Sequence, residues 1–439
     1  MLGVGNRVKE QKTGLVCWKL GLVFVFAMAQ IIMVIIANPA QCAGDAVSYI
    51  ALAKHAAAAG HLYPTAADLY SDYLFAPGYV NYLAAYFALG FSEKAPLFLN
   101  IVFNLLLLFA IYDLGKKAFG QCVGEGAALL FMLSVTTYAS TLNLLTEQTF
   151  TSLAGLSLCL AATGRRKALF LSGLLLGLAN WIRPLSVVFL LGIVLMALLH
   201  LITWKRLKEL ALGFVLMALF IGSLTYAASD VFAFQSSTAG VNLRMSANDY
   251  AKGNTSSGIR IFARGEASDL SQSGLTFRER DLYWRKQALS WIGENPGRYF
   301  GMMPIKFARL WGVDVGFLDA FSGKDGIIQS PAYMKQLARD FPRLNFLQGV
   351  VLYNNLLYLM TFLLAVYGGT ICWRKKNRLG IVLLALWCMG TLATLPFPCN
   401  SRYHFPYMMS VYIFAFASVA LHHLWSRYQQ RRRQEDRME

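Results

Sequence analysis

Apolar runs of roughly 18 to 25 residues recur along the whole chain and are separated by short polar segments. A helix of that length crosses the hydrocarbon core of a bilayer, which is about 30 Å thick, at about 1.5 Å per residue. The alternation of apolar and polar residues that is typical of outer-membrane barrel strands is missing from the sequence, so the backbone must satisfy its own hydrogen bonds as helices. The pattern therefore predicts an all-α polytopic membrane protein.

The apolar runs predict about ten transmembrane helices. Composition supports this prediction, because 56% of the 439 residues are hydrophobic, 14% are charged and the mean hydropathy is +0.47. The predicted spans cover residues 15–37, 96–115, 121–139, 147–164, 168–182, 185–204, 210–229, 350–372, 380–397 and 406–425.

The distribution of charged residues predicts the orientation of the chain in the membrane. Lys and Arg outnumber Asp and Glu by 40 to 23, which gives a formal net charge of +17. The basic residues form short clusters between apolar runs, as topology signals do, and no basic stripe is interleaved with aromatic residues, so we expect membrane lipids and not nucleic acid as partners. A cytoplasmic N-terminus places every short basic loop in the cytoplasm. We therefore expect a multi-pass protein of the inner (plasma) membrane with both termini cytoplasmic.

This orientation leaves two long segments outside the membrane. The first, residues 38–95, contains a helix from Asp45 to about Ala59 and an apolar segment, Pro77 to Phe91, that is too short to cross and is predicted to lie in the interface. The second, residues 230–349, predicts a small external domain with interfacial helices, broken at Asn295–Pro296. The chain thus divides into a transmembrane module with a catalytic first external loop (1–229), the external domain (230–349), and the C-terminal transmembrane helices with a basic cytoplasmic tail (350–439).

Ionisable residues gathered at one membrane face are the first candidates for chemistry, because they cost about 2.5 to 3.5 kcal/mol inside a bilayer. The topology brings Asp45, Glu147, Arg183 and the group Arg402, Tyr403 and His404 to the external face. Either carboxylate also suits a helix N-terminus, and Arg183 also suits an anchor to lipid headgroups. Together, carboxylates that act on hydroxyls and arginines that hold phosphate indicate a lipid-phosphate substrate. The sequence has no GxxxxGK[ST] segment that would bind a nucleotide.

Several short segments carry a resemblance to a known family. They are GDAVSY after the first span, PGY at the interfacial helix, YDLGKKAFG, the TE of the second external loop, IRP, NPGRYF and RYHFPY. In this order they resemble the glycosyltransferase C superfamily, in particular the dolichyl-phosphate-mannose protein mannosyltransferases and the bacterial lipid A aminoarabinose transferases. The chain departs from that pattern in having APGY where many relatives have Lys-Pro-Pro, and in its short C-terminal part.

The resemblance implies a function and assigns residues to it. It implies that Asp45 is the essential carboxylate, that Glu147 is the second acidic residue, and that Tyr49, Arg183 and Arg402–Tyr403 match substrate-binding positions. We expect a membrane glycosyltransferase of the cell envelope that moves a hexosyl or pentosyl group, with inversion, from a polyprenyl-phosphate carrier to a hydroxyl of a lipid, glycan or protein on the extracytoplasmic face.

In this interpretation Asp45 and Glu147 are catalytic. Asp45 takes the acceptor proton, whereas Glu147 orients the acceptor or, with Asp45, holds a divalent cation. Tyr49, Arg183, Arg402, Tyr403 and His404 bind the substrates. The alternative is a transporter or flippase of lipid-linked sugars, which predicts paired broken helices and an internal repeat that we do not find in the sequence. A third class, a binding scaffold, predicts that Asp45→Asn has no effect.

Overall fold

The computed structural model describes residues 2–36, 44–71, 73–254, 274–322 and 327–420. In these ranges the chain is helical, and the only β-type pairing is an isolated bridge between Leu74 and Ser237. The helices are α1 (Leu2–Ile36), α2 (Asp45–Ala59), α3 (Pro77–Ala88), α4 (Ala95–Phe119), α5 (Gln121–Leu133), α6 (Val135–Thr141), α7 (Thr146–Ala161), α8 (Arg166–Ile182), α9 (Ser186–Leu198), α10 (Leu207–Ser229), α11 (Ala239–Ser246), α12 (Phe277–Glu294), α13 (Pro296–Gly301), α14 (Met303–Trp311), α15 (Asp319–Ser322), α16 (Pro331–Asp340), α17 (Phe346–Arg374), α18 (Arg378–Thr394) and α19 (408–420).

Four helical segments among the described residues are long and apolar enough to cross a membrane. A fifth candidate is the bent pair α5 and α6, whereas α9 and α18 are apolar but shorter. The all-helical architecture with apolar spans is as the sequence predicts, and the total of ten spans stays a prediction. The four long segments are Lys19–Ile36, Ala95–Phe119, Trp204–Ser229 and Phe346–Arg374.

Two helices predicted within the loop of residues 38–95 are present in the structure. Helix α2 has the predicted bounds, and α3 begins at Pro77, where proline's fixed φ suits a first helical turn. Helix α3 stops at Ala88, close to the predicted end near Gly90. Residues 37–43, which include the start of this loop, lie outside the described residues.

The predicted span 121–139 is wrong as one straight helix. It is broken at Ser134, and the two parts meet at a bend of 63°. The physical reason is a side chain from a distant helix: Asn354 Oδ1 accepts hydrogen bonds from the backbone amides of Val135 (3.0 Å) and Thr136 (3.3 Å), which start a new helix there. Asn354 therefore acts as an N-terminal cap supplied from α17.

Other predicted boundaries also need correction. The span 185–204 is shorter, because α9 ends at Leu198 and the backbone turns at His200, whose φ is 56°. The span 406–425 begins differently: residues Ser401–Tyr407 form a 3-10 turn containing Pro406, and α19 starts only at residue 408. Residues 421–439, with the predicted basic tail, lie outside the described residues.

Between Phe277 and Trp311, in the segment predicted to be external, the helical structure has one break more than predicted. Asn295 ends α12 as expected, and a second break at Met302 separates α13 from α14. Trp311 and Leu310 at the end of α14 are buried in the main core, and not at a surface as the amphipathic pattern predicts. This segment therefore packs against the helices that carry the candidate site.

Candidate functional site

Four charged side chains from four distant parts of the chain meet in one place. We call Asp45, Glu147, Arg183 and Arg402 the ionic cluster. Arg402 Nη2 donates a hydrogen bond to Asp45 Oδ2, and Arg402 Nε lies 3.5 Å from Glu147 Oε1. Arg183 Nη1 lies 2.6 Å from the same Glu147 oxygen. The fold therefore brings together the two carboxylates and two arginines that the sequence singled out.

Asp45 is the accessible carboxylate of the ionic cluster. It is the first residue of α2, and Gly44 before it holds the N-cap position with a φ of 61°, which favours glycine. No side-chain capping hydrogen bond is present at this helix start. The Asp45 carboxylate faces Arg402 and is 39% exposed, so its side chain does more than start a helix.

Glu147 is the buried carboxylate. It is the second residue of α7, and its side chain is only 2% exposed. Because it contacts both arginines, its charge is compensated twice. The neighbouring Thr146 hydroxyl contacts this carboxylate at 3.4 Å and accepts a hydrogen bond from Arg183 Nη1 at 3.2 Å. Glu147 is thus the centre around which both guanidinium groups are held.

The two arginines come from irregular backbone at helix ends. Arg183 follows α8 in an extended conformation (φ −149°), which the following Pro184 favours. Arg402 lies in the 3-10 turn, whose start is capped because Asn400 Oδ1 accepts from the Arg402 amide at 3.1 Å. The ring of Tyr403 lies 5.2 Å from the Arg183 guanidinium and 5.1 Å from that of Arg402. Tyr403 therefore contacts both cations through its aromatic ring.

The ionic cluster contains two negative and two positive side chains, and the surroundings of Arg402 favour its charged form. Burial alone would lower the pKa of Arg402, but the nearby Tyr403, Glu147 and Asp45 together raise this pKa above its usual value. Arg402 Nε is buried and makes no hydrogen bond among the described residues. Arg402 is therefore a fixed cation, with its Nε facing Glu147 at 3.5 Å and its Nη2 facing the partly exposed Asp45.

Tyr49 lies one helical turn after Asp45 and is buried. Its ring stacks on Phe75 at 4.6 Å and meets Tyr79 edge-on at 5.3 Å. Burial raises the pKa of Tyr49 well above its usual value, and the charges of Asp45 and Glu147 add to this effect. Tyr49 therefore remains a neutral phenol and belongs to the aromatic wall behind Asp45.

The ionic cluster does not fit a divalent cation held by Asp45 and Glu147. Both carboxylates already face a guanidinium, and Arg402 contacts each of them. A cation between them would have to displace Arg402. Among the described residues, no group of three His, Cys, Asp or Glu side chains is arranged to hold a metal ion. We therefore derive no step through a metal.

His404 does not join the ionic cluster, which corrects its expected contact with phosphate. Its side chain is 1% exposed, and both ring nitrogens face acceptors: Leu310 O at 2.5 Å from Nδ1 and Asp314 Oδ1 at 3.2 Å from Nε2. The sequence reasoning missed Asp314, although a lone carboxylate within the apolar segment LWGVDVGFL was a usable signal. It also missed Thr146, whose contact with Arg183 depends on the fold.

Comparison with known proteins gives one family match and several distant structural matches. Residues 76–226 match the family model of the dolichyl-phosphate-mannose-protein mannosyltransferases. This range includes Glu147 and Arg183, whereas Asp45 and Arg402 lie outside it. No curated protein sequence matches the chain.

Two solved structures are similar at low identity. The AglB oligosaccharyltransferase of Archaeoglobus fulgidus, in complex with an inhibitory peptide and a dolichol-phosphate, is 13% identical, with a TM-score of 0.46 over 95% of this chain and 52% of that one. This chain thus spans about half the length of that protein. ArnT of Cupriavidus metallidurans, bound to undecaprenyl phosphate, is 15% identical, with a TM-score of 0.41 over 93% of this chain and 78% of that one. The family match agrees with the motifs, and the chain resembles the glycosyltransferase C superfamily.

Proposed function

We propose that this chain is a membrane glycosyltransferase that takes a sugar from a polyprenyl-phosphate carrier. The observation that carries the proposal is the ion pair between Asp45 and Arg402 inside the ionic cluster. It joins a partly exposed carboxylate, suited to a general base, to a largely buried guanidinium, suited to phosphate. The match to a mannosyltransferase family over residues 76–226 supports the same reaction class.

The donor phosphate would bind at Arg402. Within the described part of the chain, Nε makes no hydrogen bond and faces Glu147 at 3.5 Å, whereas Nη2 donates to the partly exposed carboxylate of Asp45 and to the Tyr403 hydroxyl at 3.3 Å. A phosphate offers the planar guanidinium two oxygens at once, so it can replace Asp45 there with two charge-assisted hydrogen bonds, each worth about 1.5 to 3 kcal/mol. Arg183, held beside Arg402 by Glu147, adds a second positive charge.

The replacement frees Asp45 for chemistry. The acceptor hydroxyl oxygen attacks the anomeric carbon of the sugar, and its proton passes to the Asp45 carboxylate. The bond between that carbon and the phosphate oxygen breaks, and the electron pair leaves with the polyprenyl phosphate, whose charge Arg402 and Arg183 stabilise. Attack on the side opposite the phosphate inverts the anomeric configuration.

Glu147 receives a supporting role in this proposal. Its carboxylate is buried and faces both arginines, so an acceptor hydroxyl has no path to it. We assign it to holding Arg183 and Arg402 in place, with the ring of Tyr403 beside both. The acceptor is a hydroxyl of a lipid, glycan or protein on the extracytoplasmic face of the inner membrane.

A transfer assay tests this function. The purified chain in lipid nanodiscs is given undecaprenyl phosphates that carry different hexoses or pentoses, with a membrane extract as the source of acceptors. We expect release of undecaprenyl phosphate together with sugar bound to an acceptor, and loss of both in Arg402→Ala but not in Arg298→Ala, an arginine at the surface of the external segment. Movement of the intact lipid-linked sugar across vesicles, without release of phosphate, would favour the flippase alternative.

A further inference from the structure

The external segment holds the chain stretch that presents Arg402. Hydrogen bonds from this segment reach residues 395–404 at many points. Lys306 Nζ donates to Leu395 O (3.1 Å) and Pro396 O (3.2 Å), Tyr299 OH donates to Pro396 O (2.9 Å), Cys399 N donates to Gly253 O (3.1 Å), and Asn400 Nδ2 donates to Gln329 Oε1 (2.6 Å). The backbone that carries Arg402 is therefore held by contacts outside the ionic cluster.

The most buried of these contacts is the pair His404 and Asp314. The imidazole ring is stacked between Trp311, 5.1 Å away at 13°, and Tyr358, 5.3 Å away at 8°. Leu310 O can only accept, so Nδ1 carries a hydrogen and donates to it. Nε2 then faces the Asp314 carboxylate, whose Oδ1 lies 3.2 Å away, so Asp314 is the second polar partner of the ring.

Asp314 also connects His404 to the membrane helices. Its second oxygen accepts a hydrogen bond from Thr136 Oγ1 at 2.6 Å, and its backbone carbonyl accepts from Asn354 Nδ2 at 2.6 Å. Thr136 and Asn354 are the residues at the bend between α5 and α6. All four side chains are at least nine-tenths buried. One hydrogen-bonded network thus fixes Asp314 and, through it, the ring of His404.

We propose that Asp314 and His404 form a positioning pair that sets the place of the Arg402 guanidinium. His404 is two residues after Arg402 in the same 3-10 turn, so a fixed imidazole fixes the turn. The backbone of Arg402 also packs against Gly316, where a Cβ would lie 2.3 Å from the Arg402 amide nitrogen. The turn is thus held from both sides by residues 314–316. This inference rests on the proposed function for its effect on turnover, and its structural part stands apart from that function.

Two variants of Asp314 separate positioning from general stability. Asp314→Asn can keep both hydrogen bonds, because the amide nitrogen donates to Nε2 and the amide oxygen accepts from Thr136. We expect its kcat to stay within about threefold of wild type. Asp314→Ala removes both bonds, and a misplaced guanidinium should lower kcat by about 10- to 100-fold with a smaller change in KM. Asp281→Ala is the matched control, because Asp281 is a buried carboxylate of the external segment that accepts from Gly240 N, away from the turn.

A double variant tests whether Asp314 acts through Arg402. In an Arg402→Ala background, Asp314→Ala should lower kcat no further, because the residue that it positions is absent. Amide hydrogen exchange, followed by mass spectrometry in the peptide of residues 399–407, gives a readout that needs no activity. We expect faster exchange there in Asp314→Ala and wild-type exchange in Asp281→Ala.

The outcomes distinguish the two proposals. Faster exchange at residues 399–407 in a chain whose wild type transfers no sugar would keep the positioning pair and reject the proposed function. Transfer by wild type, with Asp314→Ala and Asp281→Ala equal in kcat and in exchange at the turn, would overturn the positioning pair. Additive losses in Asp314→Ala and Arg402→Ala would overturn it as well.

Discussion

The guanidinium of Arg402 donates a hydrogen bond to the carboxylate of Asp45, which lies 357 positions earlier in the chain. In the proposed reaction these two groups act on different partners, Arg402 on phosphate and Asp45 on a hydroxyl proton. While they are paired, neither is free to act. Binding of the donor phosphate at Arg402 releases the base, so the general base becomes available only when there is a sugar to transfer.

The shape of the Arg402 side chain should matter as much as its charge. Lysine keeps the positive charge but has no planar fork, so it cannot contact two phosphate oxygens together. We expect Arg402→Lys to lower kcat/KM by about 10- to 100-fold, the equivalent of one lost charge-assisted hydrogen bond. Arg298→Lys, at an exposed arginine of the external segment, is the control. Equal activity in the two variants would reduce Arg402 to an anchor for lipid headgroups.

Removing the charge of Glu147 should cost stability as well as activity. Glu147→Gln removes the buried negative charge that two largely buried guanidinium groups share, and loss of one member of a buried ion pair costs about 3 to 5 kcal/mol. Glu209→Gln is the matched control: Glu209 is also buried, but its partner Arg166 is 74% exposed, so we expect a loss of about 1 kcal/mol or less. Melting temperatures of the two variants in the same detergent make the comparison. Equal shifts would show that Glu147 is not the centre of the ionic cluster.

Much of the site could be predicted from sequence because its chemistry is unusual for its position. Asp45, Glu147, Arg183 and Arg402 are ionisable residues at the ends of apolar runs, and the basic loops indicate that all four face the same side. Which arginine pairs with which carboxylate could not be predicted. That pairing depends on how helices far apart in sequence pack together.

Two sequence predictions that were wrong, a single helix over residues 121–139 and a contact of His404 with phosphate, have the same physical origin. The break at Ser134 depends on the side chain of Asn354, which caps α6 from more than two hundred residues away. His404 follows Arg402 and Tyr403 directly, yet the 3-10 turn points its ring away from the ionic cluster, toward Asp314. In both cases a polar side chain forms a hydrogen bond with a residue that is distant in sequence, and the local sequence does not indicate which residue that is.

The buried amine of Lys306 predicts a dependence of stability on pH. Burial lowers the pKa of Lys306 from 10.5 to about 8. Between pH 8 and pH 10.5 Lys306 is protonated in the unfolded chain and mostly neutral in the folded chain. The free energy of unfolding therefore increases as the pH rises through this range. We expect the melting temperature of wild type, relative to Lys306→Met, to increase from pH 8 to pH 10. Lys286→Met, at an exposed lysine, should show no such trend, and a flat difference for Lys306 as well would contradict a lowered pKa.

The orientation of the chain can be tested by cysteine labelling of intact cells. A cysteine at the exposed residue Ala67, in the first external loop, should react with a reagent that does not cross the membrane. A cysteine at Gln434, in the predicted cytoplasmic tail, should react only after the cells are opened. The unaltered chain, with its seven cysteines, gives the background. The reverse result would mean that Pro77–Ala88 crosses the membrane.

The central claim is that Asp45 takes a proton, and Asp45→Asn tests it most directly. Asparagine has the same shape, its amide oxygen can still accept the hydrogen bond from Arg402, and the position is 39% exposed, so folding and melting temperature should change little. Loss of a general base typically lowers the rate by about 10² to 10⁴. Asp68→Asn is the control, because Asp68 is a carboxylate of the same external loop that only caps a turn.

The decisive measurement is the initial rate of sugar release from an undecaprenyl-phosphate donor by the purified Asp45→Asn variant, taken beside a melting curve of the same preparation. The account predicts a folded protein with a rate at least about 10² below wild type, and a near wild-type rate for Asp68→Asn. A folded Asp45→Asn variant that releases sugar at the wild-type rate would contradict it.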